Sequence, residues 1–174
     1  RDIYRPPVNV DYDPRIRVLL APSAPTVLAG GPSIVITATA CGGGCCMLDG
    51  MPITLTTSLG QLGAPPGPVA VSALNGGWTI VAFKPGTVAG TAVITGYVAN
   101  HGVVTTSVQI LPLAPATISV TAAPNRIRVG ETSVISAEAR DIYANPVSPG
   151  TPIYFDTTLG TLVPISSTVF GGGV

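Results

Sequence analysis

Between Val134 and Arg140 apolar and polar residues alternate. Ile135, Ala137 and Ala139 fall on one side, and Ser136, Glu138 and Arg140 on the other. A two-residue period predicts a strand with one buried face, because successive Cβ atoms point to opposite sides of a pleated backbone. Asp141-Ile142-Tyr143-Ala144-Asn145-Pro146 then has the composition of a turn. Alternation resumes over 152–157, with Ile153 and Phe155 inward, and stops at Leu159-Gly160. Earlier in the chain, residues 78–84, 91–99 and 103–110 read as strands, and Ala99-Asn100-His101-Gly102 as the hairpin turn joining the last two. Short strands separated by Gly/Pro turns predict an all-β sandwich architecture.

Self-comparison organises these strands. Residues 30–62 align on 130–162 at an offset of 100 without a gap. Pro52-Ile53 matches Pro152-Ile153, and Thr57-Ser58-Leu59-Gly60 matches Thr157-Thr158-Leu159-Gly160. A unit of about 100 residues is the size of an immunoglobulin-type sandwich. The expected division is 1–14 as linker or last strand of a preceding repeat, 15–113 as repeat 1, and 114–174 as repeat 2. The offset maps 171–174 onto 71–74, before three strands of the first repeat, so repeat 2 is expected to be C-terminally truncated. A longer chain would complete it, or strands supplied by a neighbouring chain, of which a single donated strand would make up only one of three. Val8-Asn9-Val10, which aligns with Val108-Gln109-Ile110, is a candidate donor.

Carried across at the same offset, the inward set of the second repeat falls on Val35, Thr37 and Thr39. Ile34, Ile36, Ala38 and Ala40 are then expected to point outward, where the second repeat has Val134, Ser136, Glu138 and Arg140. An apolar outward stripe is expected to meet a protein partner, either a neighbouring repeat or a subunit, unless the strand is flipped or covered by its own loop.

Composition narrows the function. Only 9% of residues are charged, the formal net charge is zero and Lys84 is the only lysine. A nucleic-acid partner is excluded on this ground, since phosphate recognition needs a basic face. Mean hydropathy is +0.53, yet Gly, Pro, Thr or Ser interrupts every run before the roughly 18 apolar residues a membrane span needs. Membrane contact is not expected for this segment.

Catalytic chemistry finds no foothold. His101, the sole histidine, lies in the predicted turn with no acid, Ser or Cys near it in sequence, and reads as an exposed turn residue. The eight acidic residues are scattered, and no paired carboxylates, phosphate loop or nucleophile elbow stands out. Asp11-Tyr12-Asp13 is a solvated linker before it is a Ca2+ site. Cys41, Cys45 and Cys46 lack the spacing and the fourth ligand of a zinc site. Their cluster in a Gly-rich turn predicts a disulfide from Cys41 to Cys45 or Cys46, with one thiol left over. No cofactor is expected. Trp78 and Phe83 read as core or shoulder residues; a glycan ligand has no support beyond these few aromatics.

The run 129–147, with Asp141 and the Asn145-Pro146-Val147 turn, followed by Gly150, a strand through Phe155 and Leu159-Gly160, resembles the bacterial Ig-like group 1 domain of invasin and intimin. The first repeat keeps this frame but has Cys41-Gly42-Gly43-Gly44-Cys45-Cys46-Met47 in place of the Asn-Pro turn, and Leu55 in place of Phe155. The resemblance implies extracellular or cell-surface tandem repeats that serve as rigid spacers or adhesin stalks, with no catalytic residues to carry over. A subunit of an ordered assembly (a surface layer, filament or larger complex) is the alternative that low charge favours. An accessory binding module of a secreted enzyme comes third.

Overall fold

In the computed structural model, residues 17–41, 49–99 and 101–169 are described. The chain is all-β. The first nine strands are β1 (Arg17–Pro22), β2 (Thr26–Leu28), β3 (Ile34–Cys41), β4 (Pro52–Thr57), β5 (Gln61–Leu62), β6 (Val69–Ala73), β7 (Trp78–Lys84), β8 (Gly90–Val98) and β9 (Gly102–Leu111). They form two facing sheets of order β1-β3-β7-β5 and β2-β9-β8-β4-β6. Ile36, Ile53, Leu55, Leu62, Phe83, Ile94, Val108 and Ile110 fill the space between and are fully buried. Each such side chain contributes roughly 1.5–3 kcal/mol by leaving water, so this sandwich has its own core.

The opening segment crosses from one sheet to the other, as in immunoglobulin-like sandwiches. β1 runs antiparallel to β3, whereas β2 runs parallel to β9. Pro22 and Pro25 flank the crossing and have no N–H to give a ladder. Ser23 anchors it, its N–H donating to Val35 O at 2.9 Å and its Oγ accepting from Val35 N at 3.2 Å.

The second unit has β10 (Thr117–Ala123) paired with β11 (Val134–Arg140), and β12 (Pro152–Tyr154) paired with β13 (Ser166–Thr168). The repeat is visible in detail. Thr57 Oγ1 donates to Leu59 O at 2.6 Å, and Thr157 Oγ1 donates to Leu159 O at the same distance. Gly60 and Gly160 follow at φ 74° and 81°, a left-handed conformation that favours glycine.

The alignment offset is not constant, and this overturns the expected outward stripe. Ile36, Ala38 and Ala40 are fully buried, and Ile34 packs partly against the same core. The outward residues of β3 are Val35, Thr37 and Thr39, beside Leu19 on β1 and Trp78 and Ile80 on β7. In β11 it is Ala137 and Ala139 that turn inward. Strand register agrees: Val18 faces Ala40, and Ile118 faces Ala139. The repeats therefore match at 100 across β1/β10 and β4/β12 but at 99 across β3/β11. One residue fewer separates the turn at Gly130 from its strand. A one-residue slip exchanges the two faces of a strand, so gap-free alignment assigned β3 the wrong face.

Candidate functional site

The most elaborate polar constellation is the turn that follows β11. Asp141 and Asn145 are the buried polar side chains among the described residues, 2% and 8% exposed. The aspartate organises its own turn. Its Oδ1 accepts the N–H of Tyr143 at 2.8 Å and of Asn145 at 2.9 Å. Its N–H donates to Asn145 O, and its C=O accepts from Ala144 N. Ala144 takes φ 65° to close the loop, and Arg140 Nη1 donates to Ala144 O at 2.7 Å. Short polar side chains that capture neighbouring N–H groups make such turns.

The same two side chains reach the first sandwich. Asn145 Nδ2 donates to Thr87 O at 2.8 Å and to Asp141 Oδ2 at 3.0 Å, while its Oδ1 accepts from Ala89 N at 2.9 Å. Asp141 Oδ2 also accepts from Leu113 N, in the segment joining the sandwich to β10, at 3.0 Å. Thr87 and Ala89 belong to the loop between β7 and β8, which is tied to Gly30 by the Gly30 N to Gly86 O bond of 2.9 Å. Gly30, at φ 67°, leaves room for Tyr143: a Cβ there would lie 2.5 Å from the Tyr143 hydroxyl oxygen. One turn of the second unit is thus bonded to a loop, the connecting segment and a glycine of the first.

Two opposed effects act on Asp141. Burial pushes its carboxyl pKa up, but hydrogen bonds from the Asn145 side chain and from the N–H groups of Leu113, Asn145 and Tyr143 outweigh it. The carboxyl is held below the ordinary value of 3.8. The site therefore contains a carboxylate committed to accepting hydrogen bonds.

The other predicted residues do not join it. Cys45, Cys46, Asp11, Tyr12, Asp13 and the 8–10 segment lie outside the described residues, as does the side chain of Cys41. His101 is half-buried rather than exposed, with no hydrogen-bond partner for Nδ1 among the described residues. Phe83 is core, while Trp78 stands 52% exposed on the outer face of β7. A shallow cleft of about 350 Å³ between β10 and β12 is lined by Ile118, Ala139, Ile153 and Tyr154, and its lining holds no carboxylate, imidazole or thiol. Among the described residues no His, Cys, Asp or Glu cluster could hold a metal ion. The sequence did display Asp141 and Asn145 as turn formers. That they contact the other repeat has no signal within either repeat.

No protein-family model matches the sequence, and no curated protein does. Similar solved structures include the Yersinia pseudotuberculosis adhesin InvE, at 18% identity and TM-score 0.48, covering 90% of this chain and 49% of that one. The Escherichia coli adhesin FdeC is 14% identical at TM-score 0.47, covering 82% and 46%. A conjugative transposon lipoprotein from Bacteroides eggerthii is 13% identical at TM-score 0.39, covering 56% of this chain and 98% of that one. The chain spans about half the length of each of the two adhesin chains.

Proposed function

We propose that this chain is a non-enzymatic structural module of a bacterial surface protein, located outside the cell, that acts as a rigid spacer or adhesin stalk. The observation that carries the reading is the junction. A buried carboxylate and a buried amide on one turn are hydrogen-bonded to Thr87, Ala89 and Leu113 across the boundary between the two units. Polar groups sequestered from water lose much if their partners separate, so hinge motion is opposed. A spacer needs this property, since its function is to keep distance and direction. Small-angle X-ray scattering of the chain tests it. One narrow distribution of interatomic distances is the expected result; a broad distribution that requires many inter-unit orientations would refute the reading.

A second reading, a subunit of an ordered assembly, is favoured by the charge distribution. Over residues 17–113 the charged side chains are Arg17, Asp49 and Lys84 alone. Surfaces of solitary domains carry far more.

A further inference from the structure

The five-stranded sheet ends at β6, and β6 has the chemistry of an open pairing edge. Leu74 N donates to Met51 O at 2.9 Å, and Thr57 N donates to Pro68 O at 3.0 Å. Between these two bonds the register sets Ile53 against Ser72 and Leu55 against Ala70. Hydrogen-bonded and non-bonded pairs alternate along an antiparallel ladder. The N–H and C=O groups of Val69, Val71 and Ala73 therefore point away from β4, and among the described residues no further strand lies beyond them in the sheet order.

Exposed edges are usually blunted by lysine, by proline within the strand, by a bulge or by covering chain. β6 has the sequence Val69-Ala70-Val71-Ser72-Ala73, with no charge and no proline. Val69 and Val71 are 52% and 67% exposed on the sheet's outer face. The face continues inward without charge: Val71 faces Thr54, Thr54 faces Tyr97, and Tyr97 faces Val103. On the opposite side of β6, the Ser72 and Thr79 hydroxyls bond at 2.8 Å, which ties the strand to the other sheet.

We infer that β6 is a self-association edge whose occupant is β6 of a second copy of this chain, paired antiparallel about Val71. The pairing is self-complementary, as a two-fold contact requires. Val71 would face its own counterpart and Val69 would face Ala73, each pair exchanging both N–H···O bonds. No like charges meet, which a strand carrying lysine could not achieve with its own copy. The pairing merges two five-stranded sheets into one continuous sheet with an uncharged Val/Thr/Tyr outer face. Strand pairing alone buries less than the roughly 1,200–2,000 Å² typical of stable interfaces, so the dimer is weak in isolation and suited to repetition along a surface. This contact is separate from the junction on which the spacer reading rests, and either can fail without the other.

Sedimentation velocity of the full chain over a wide concentration range tests the inference, with circular dichroism to verify folding. The wild-type chain is expected to shift reversibly from monomer to dimer. V71P removes an outward N–H that β4 does not use, and V71K places a charge opposite its own copy. Each should weaken association at least tenfold while the strand signal persists. V93K, on the outer face of β8 away from the edge, should associate like wild type. Should V71P fail to fold, V71K alone decides. A wild-type chain that stays monomeric to near-millimolar concentration overturns the inference. So does association that V71K leaves unchanged, or that V93K abolishes.

Discussion

Replacing Asn145 with Ala isolates what the junction contributes. The substitution removes the donor to Thr87 O, the acceptor for Ala89 N and the donor to Asp141 Oδ2. Hydrogen bonds between neutral groups are worth about 1 kcal/mol net, and those to a charged group about 2. The total loss is thus about 4 kcal/mol if the freed groups stay dry. Water entering the part-buried junction lowers it to about 2–3 kcal/mol. Of the three bonds removed, those to Thr87 and Ala89 cross between the units, so about 2 kcal/mol bears on their docking. That corresponds to a roughly 30-fold shift toward separation. The turn itself should survive, because Asp141 Oδ1 still accepts from Tyr143 and Asn145 main-chain N–H groups. Amide hydrogen exchange at Ala89 reads the local event and should speed up about 30-fold. Small-angle scattering reads the global one and should show a broader distance distribution. If Ala89 exchange and the scattering profile both match wild type, the junction does not hold the units together.

Acid should loosen the same contact. Because the Asp141 pKa is lowered on folding, its contribution is fully present above the unfolded carboxyl value of about 3.9. It is lost as pH falls further, through the folded value; Asp141→Asn should flatten that part of a stability–pH curve measured by urea unfolding. Ala144→Gly should raise stability by about 0.5–1 kcal/mol, because Ala144 sits at φ 65° where a side chain is strained; a denaturation midpoint below wild type would contradict this. Ile36→Glu should abolish folding of the first sandwich, since it buries an unpaired charge at a cost of several kcal/mol, whereas Val35→Glu, on the outer face, should cost under about 1 kcal/mol. The reverse ranking in chemical denaturation would restore the opposite strand orientation.

Much of the fold was legible because strand periodicity and turn chemistry are local. The alternation around Ala137 and Ala139, the strands of 78–84, 91–99 and 103–110, and the Thr-x-Leu-Gly turn of each repeat all depend on residues close in sequence. Each is found in the structure within a residue or two at its ends, except that β12 stops at Tyr154. The face of β3 was not legible. Val35-Ile36-Thr37-Ala38-Thr39-Ala40 offers β-compatible residues on both sides, so periodicity could not choose between them, and the borrowed offset chose wrongly by one residue. Packing against Phe83, Leu55 and Ile94 decides it, because only the Ile36/Ala38/Ala40 side fits that core. The junction was half legible. Asp141 and Asn145 declare a turn by composition, but their use of Leu113, Ala89 and Thr87 depends on chain folding that brings together residues 28, 56 and 58 positions apart. The edge at β6 is a property of sheet order alone. Nothing in Val69-Ala70-Val71-Ser72-Ala73 distinguishes a central strand from a terminal one, and only the tertiary arrangement leaves one side of its backbone without a partner strand among the described residues.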